Sequence, residues 1–390
     1  MSTMDVTREA PVRTETRISK APYLHQIDFF RLVTFASVIL IHVVGATNFP
    51  QDVPANAVEA LLHFTREAFF ALTGFVLVYQ YRGRGVQAGD FWRRRLPLVA
   101  VPYVAWTVFF WAYAMVTGAQ PFGSVSSALL KLGTDLLTGS AWYHLYFLLV
   151  TMQVYVLFPL LMKFLRATAG RHRWVLLGSA ILQVVVVVFM TYPPSSVSYE
   201  TITRLFGTLL PYQFYTVLGA VVAMHFEAVH AWIGRHRWLV GAALLAVGAG
   251  TEVVYLWTVH SGTWPQVASD PFQPYLIPWF LCVIAAIYAL STRWAARRRD
   301  HHRGARFVAI AANRSFSIFL VHPLALGLLA PVIPWVAARV GAPWLTLVIY
   351  VGTVVLTVVI VEILRRLPLS RALTGRPRLR PRPERVLQSA

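Results

Sequence analysis

The residues of this chain with the most chemical potential are charged and imidazole side chains set inside long apolar runs. A charge at hydrocarbon depth is costly, so such residues mark function before they mark stability. Arg31 and His42 are 11 residues apart. At about 100° per residue that is about three turns, so both project from one helix face, about 16 Å apart along the axis. Asp28, three residues before Arg31, lies on the same side and can neutralise it. Taken alone, the pair reads equally as a snorkelling arginine with a satisfied histidine, or as two working groups. In the next apolar run His63 and Glu67 form an i,i+4 pair, with Arg66 between them. A carboxylate that orients an imidazole is the ordinary way to build a general base. His42 and His63 lie at matching depths, about 6 and 7 Å from the same end of successive runs, which predicts a cluster. His322 and Glu252 reach similar depths later in the chain. His144, within WYHLYF, belongs either to an interfacial aromatic belt or to the same cluster. Three histidines near a carboxylate can hold a metal, but none has ligand-motif spacing, and no metal is expected. Arg93, Arg94 and Arg95 come directly after an aromatic pair, Phe91 and Trp92. As a stop-transfer cluster they need no further role. As adjacent guanidiniums they can also grip a phosphate or pyrophosphate.

The elements that must position these residues can be read from composition. The chain has 390 residues, 57% hydrophobic and 13% charged, about half the charge of a soluble domain. Mean hydropathy is +0.58. Thirty-five Lys and Arg against 16 Asp and Glu give a net charge of +19. The basic residues fall in gaps between apolar runs, which excludes a soluble enzyme, a nucleic-acid binder and a disordered chain. The single cysteine, Cys282, excludes an internal disulfide and a cysteine-based metal site. The first 26 residues lack the pattern of a cleaved signal peptide.

Ten runs reach the length of about 20 residues that a membrane helix needs. They are 27–46, 58–81, 96–116, 143–162, 174–192, 205–226, 238–259, 272–290, 307–330 and 343–363. The two tails and alternate loops on their side hold 29 Lys and Arg, the intervening loops 3, and the spans themselves Arg31, Arg66 and Arg314. That alternation is the positive-inside pattern for ten spans with both termini cytoplasmic. The expected fold is therefore all-α, a polytopic bundle of about ten transmembrane helices in the plasma membrane. A cytoplasmic tail (1–26) precedes a membrane domain (27–363), and a basic tail (364–390) ends the chain. The stretch 124–138 is amphipathic and suits the interface plane. The RPRLRPRPER stretch at 376–385 is expected to lie on anionic lipid. GRHRW occurs at 170–174 and again at 234–238, by chance or as a parallel repeat. Glu362 with Arg366 reads as a structural i,i+4 pair.

Arg31 and His42 within IDFFRLVTFASVILIHVV resemble the first span of the acyltransferase family 3 membrane proteins. FFALTGF (69–75) is similar to that family's FF-x-x-SGF element, with Thr73 in place of the usual serine. FWRRRLPLVAVPYVAW (91–106) resembles its Arg-rich loop and Pro-Tyr span. WYHLYFLLVTMQVYVLFPLL and SFSIFLVHPLAL (315–326) resemble its later elements, in the same order. The resemblance implies transfer of an acyl group, commonly acetyl or succinyl, from cytoplasmic acyl-CoA to a hydroxyl. The acceptor would be a glycan, a lipid-linked sugar or a secreted metabolite. No permanently bound cofactor and no nucleic acid is implied, and no separate esterase-like domain is expected. Carried over, Arg31 and His42 occupy the family's Arg/His motif, and Arg93 to Arg95 its basic loop. His42, oriented by Glu67, would take the acceptor's proton, with His63, Arg66, His144, His322 and Glu252 about the acceptor. Base catalysis and a covalent acyl-enzyme are not separated by sequence. A transporter or flippase for a glycan lipid is the competing class, and a membrane sensor or scaffold a third.

Overall fold

A backbone at hydrocarbon depth must satisfy its own hydrogen bonds, and this chain does so by coiling nearly throughout. The computed structural model describes residues 22–121, 123–299 and 301–379, and no strand occurs among them. In chain order the helices are α1 (His25–Thr47), α2 (Val53–Leu62), α3 (Phe64–Tyr81), α4 (Ala88–Arg95), α5 (Pro97–Val116) and α6 (Val125–Thr138). Then come α7 (Tyr146–Ala167), α8 (His172–Thr191), α9 (Tyr199–Leu205), α10 (Gln213–Met224), α11 (Phe226–Arg235) and α12 (Arg237–His260). The last are α13 (Pro265–Ala268), α14 (Leu276–Arg297), α15 (Arg303–Leu329), α16 (Ile333–Ala337), α17 (Trp344–Leu364) and α18 (Ser370–Thr374).

Among the described residues, nine helical stretches are long and apolar enough to cross a membrane, and ten if one bent pair counts as a span. That pair replaces the run expected at 205–226: Tyr199–Leu205 and Leu210–Met224 meet at 55°. Gly207 and Pro211 lie at the bend, where glycine favours helix weakly and proline has no N–H to give. The opened backbone is satisfied from neighbouring helices. Gln153 of α7 donates to the Gly207 carbonyl (2.6 Å) and accepts the Leu209 N–H (2.9 Å). Gln183 of α8 donates to the Pro211 carbonyl (2.7 Å). Both GRHRW copies lead into helices, α8 and α12. The span before α8 is continuous and the one before α12 is bent, so the two parts of that repeat are not built alike.

The second span breaks at His63, which ends α2 and opens α3. Beyond it α3 lies at the centre of the bundle and crosses α10 at backbone contact. A Cβ on Gly219 would stand 1.8 Å from the Ala71 carbonyl oxygen, and one on Gly74 2.1 Å from that of Thr216. Small residues are what allow two membrane helices to approach so closely. At the periphery, Ile181 and Val185 on α8 and Leu245 and Val253 on α12 face outward, an apolar surface suited to lipid. The 124–138 stretch forms α6, with Ser124 capping its start through the Ser127 N–H (3.2 Å). Cys282 is free and half-buried.

Two expectations about charge change in three dimensions. Glu362 pairs with Arg314 of α15 rather than with Arg366, because α15 and α17 pack together. The C-terminal segment does not lie free on the surface, at least as far as Leu379. Trp106 donates to the Leu373 carbonyl (2.9 Å), Ser317 to that of Thr374 (3.0 Å) and Ser370 to that of Arg376 (3.0 Å). Gly375 takes the left-handed turn (φ 63°) that ends α18 and fits against the Phe316 ring, where a Cβ would stand 2.7 Å away. The remaining tail expectations, for 1–21 and 380–390, lie outside the described residues.

Candidate active site

Two cavities stand back to back along α1. The first, about 490 Å³, is near the end of α1 that carries His42. Its wall takes His42 and Gly45 from α1, Glu59 from α2, His63, Arg66 and Phe69 from the break and α3, and Tyr143 and His144 from the turn before α7. The rings of His42 and Tyr143 are 4.5 Å apart. Behind His42, His322 of α15 stacks on it (5.3 Å between centroids, 24° between planes) and meets His144 edge-on (5.7 Å, 70°). The histidines at 42, 63, 144 and 322 are thus brought together.

Local sequence explains how His322 is held. Pro323 has no N–H, so the carbonyl of Phe319, four residues back, loses its helical partner. His322 Nδ1 lies 2.8 Å from that oxygen. A carbonyl only accepts, so Nδ1 carries the proton and Nε2 keeps its lone pair. Among the described residues Nε2 is buried and without a hydrogen-bond partner, as are both ring nitrogens of His144. The same device works at the other end of the bundle, where Pro159 frees the Tyr155 carbonyl and Trp92 Nε1 donates to it (3.1 Å).

The carboxylates fall differently from their expected places. Glu67 pairs with Arg66 (2.7 Å), whose guanidinium lies over the Phe272 ring at 4.2 Å and the Tyr212 ring at 5.0 Å. It does not line the cavity and makes no hydrogen bond to His42. His63 ends α2 and opens α3, and of the residues around this junction Glu59, His63 and Arg66 line the cavity while Glu67 does not. The carboxylate that does line the cavity is Glu59, which sequence reading passed over although it stands four residues before His63. Gly45 makes room for it, since a Cβ there would lie 3.0 Å from Glu59 Oε1. Glu252 is on α12 and outside this lining, with one carboxylate oxygen buried and unpartnered.

The second cavity, about 400 Å³, is at the opposite, basic end of α1. Arg31, Arg95 and Arg376 line it, together with Thr73, Tyr155 and Ser315, and among the described residues no carboxylate does. Arg95 donates to Gln80 (2.5 Å). Asp28 does not close an ion pair on Arg31; both its oxygens accept from the Tyr23 hydroxyl at 2.7 Å. Burial and that bond push the Tyr23 hydroxyl up to about 12, so it remains a donor at neutral pH. Arg93 and Arg94 are exposed and off the cavity, Arg93 paired with Asp90.

Between the cavities stands one layer of side chains. Phe69, Phe147 and Phe319 line both spaces, with centroids 5.6 Å apart from Phe69 to Phe147 and 5.1 Å from Phe147 to Phe319. In the sequence these rings stand out only as members of longer motifs; their shared face comes from α3, α7 and α15 converging. Among the described residues no cluster of three or more His, Cys, Asp or Glu stands at metal-ligating positions.

Neither a curated protein nor a solved structure matches this chain. A family model described as an acyltransferase domain does, over residues 24–362, which include α1 to α15, both cavities' helical walls and the partition between them. The chain belongs to acyltransferase family 3 and is a membrane acyltransferase.

Proposed function

We propose that the protein is an O-acyltransferase that carries an acetyl or succinyl group from cytoplasmic acyl-CoA to a hydroxyl on the far side of the plasma membrane. The acceptor class is a glycan, a lipid-linked sugar or a secreted metabolite. The observation that carries this reading is the pair of cavities of opposite chemistry separated by the Phe69, Phe147 and Phe319 layer. Both termini are cytoplasmic in this reading, supported by the 29 to 3 bias of basic residues.

The donor enters at the basic end. Arg31 and Arg95 meet its phosphates, since guanidiniums lining an enclosed space, with no carboxylate among the described residues of its wall, favour a bound anion. Arg93 and Arg94 add long-range attraction at the mouth. The thioester reaches past the phenylalanines toward His42. His42 takes the proton of the acceptor hydroxyl, whose oxygen attacks the thioester carbonyl. A carbon–oxygen bond forms, the carbon–sulfur bond breaks, and the imidazolium returns a proton to the leaving thiolate. His322, with Nδ1 tied to the Phe319 carbonyl, supports the His42 ring in that exchange. His63, Arg66, His144 and Glu59 bind the acceptor, a role for which their mixed donors and acceptors suit polyhydroxyl groups. Glu67 holds Arg66 in place, and Glu252, outside the cavity lining, has no part in this reading.

The test uses protein in nanodiscs with radiolabelled acetyl-CoA, wild type beside His42→Ala. Turnover or labelling present in wild type and lost in the variant is expected. Equal activity in the two, or no use of any acyl-CoA by wild type, overturns the reading.

A further inference from the structure

The family-matched region ends at residue 362. The basic cavity does not. Its wall is completed by Gly375, Arg376 and Pro377, brought there by the turn after α18. We infer that this C-terminal segment is an integral wall of the donor site, and that Arg376 binds a phosphate of the acyl donor. The inference rests on the acyl-CoA reading above and adds to it a residue outside the family domain.

Three observations carry it. The segment is fixed in place from two neighbouring helices and from within: Trp106 of α5 holds the Leu373 carbonyl (2.9 Å), Ser317 of α15 that of Thr374 (3.0 Å), and Ser370 of α18 itself that of Arg376 (3.0 Å). The Arg376 N–H in turn donates to the Thr374 hydroxyl (3.3 Å). All of these bonds use backbone or neighbouring groups and none uses the guanidinium of Arg376, a residue of the cavity wall. Arg376 is also near enough to Arg31 for their like charges to interact; Asp28 attracts Arg31 more strongly, but it lies off the cavity wall and its oxygens are bonded to Tyr23. Three arginines around one space, with no carboxylate among the described lining residues, leave an excess of positive charge that Asp28 behind the wall offsets at Arg31 alone, and a bound anion of more than one charge matches that excess. A donor carrying several phosphates has the matching charge, and arginine forks suit its oxygens.

The test measures kcat and KM for acetyl-CoA, and for the phosphate-free donor S-acetylpantetheine, on full-length protein in nanodiscs. The variants are Arg376→Gln and Arg376→Lys. Because the turn is held through the backbone, Arg376→Gln should melt as wild type does. Its KM for acetyl-CoA should rise about tenfold with kcat little changed, the effect of one charge-assisted bond. Arg376→Lys should recover part of the loss, and use of S-acetylpantetheine should not respond. Wild-type KM in Arg376→Gln overturns the inference. So does an equal loss with both donors, which is what a guanidinium serving the fold or a lipid phosphate would give. If wild type uses no phosphate-free donor, a fall in kcat without a rise in KM for acetyl-CoA overturns it. Failure of wild type to bind any acyl-CoA sinks the reading beneath it instead, and the two failures are therefore distinct.

Discussion

The histidine cavity and the arginine cavity are similar in size, about 490 and 400 Å³, share three phenylalanines, and draw on α1, α3, α7 and α15 alike. Their polar groups have little in common. One holds imidazoles, two phenols, an ion-paired arginine and Glu59, groups that gain and lose protons or orient hydroxyls. The other holds fixed cations with no acid among its lining residues. The difference separates two tasks that a single site would have to compromise. A base must keep a lone pair, and a nearby guanidinium cluster would make protonation harder and substrate oxygens more tightly held. Setting the cations about 16 Å down the same helix removes that conflict while α1 keeps the two ends in register.

The sharpest way to break the comparison is to remove one polar group from each cavity. His42→Ala should lower kcat by about 10²- to 10⁴-fold, the usual range for a lost general base, with KM for acetyl-CoA unchanged. Arg95→Ala should do the reverse, raising KM about tenfold and sparing kcat. Steady-state kinetics in nanodiscs reads both. If the two variants fail in the same parameter, the cavities do not divide the work as described.

The partition is the next point of attack. Phe147→Leu shrinks a ring shared by both cavities. It should raise hydrolysis of acetyl-CoA without acceptor several-fold, because water gains a path to the thioester, and should lower stability by about 1–2 kcal/mol from the lost contacts. Unchanged hydrolysis, with the melting shift present, would mean that the phenylalanines pack but do not seal.

How much of the molecule is legible in its sequence varies with the distance over which the information is written. Span number and boundaries depend on apolar length and basic loops, which are local quantities, and nine helical stretches plus a bent pair match ten expected runs. The bend itself has a signal, Gly207 and Pro211, but its tolerance depends on Gln153 and Gln183 from other helices. The i,i+4 spacing of His63 and Glu67 does not reveal that Glu67 is taken by its neighbour Arg66, nor that Glu59, four residues to the other side of His63, is the carboxylate on the cavity. Arg376 is hidden by composition: a stretch alternating Arg with Pro looks unstructured, while its anchors, Trp106 and Ser317, are far away in sequence. Local chemistry is readable, and the closing of distant segments on one another is not.

A finer probe of the histidine side is Pro323→Ala. It restores an N–H that competes for the Phe319 carbonyl and so releases His322 Nδ1. The expected loss in kcat is about two- to fivefold, the worth of one neutral hydrogen bond, with a change of His322 tautomer visible in nitrogen chemical shifts. A tautomer shift without a kinetic effect would place His322 in support of the fold alone.

The smallest effect expected is at Arg93, and it tests the comparison from the other direction. Arg93, Arg94 and Arg95 are consecutive and chemically identical, so sequence gives no reason to treat them differently. The fold does: α4 turns Arg95 toward Gln80 and the cavity, and Arg93 outward to Asp90, with its side chain 80% exposed. An exposed ion pair is worth about 0–1 kcal/mol, so Arg93→Ala should change KM for acetyl-CoA by about twofold or less and leave kcat and melting temperature alone. What it does affect is the long-range field at the cavity mouth, which salt screens. At low ionic strength a slight rise in KM should appear, and near-physiological salt should erase it. Arg95→Ala, acting through contact within an enclosed space, should keep most of its tenfold rise under the same salt. If Arg93→Ala matches Arg95→Ala at all salt concentrations, the triplet acts as one undivided charge, and the cavity wall is not what selects the working arginine.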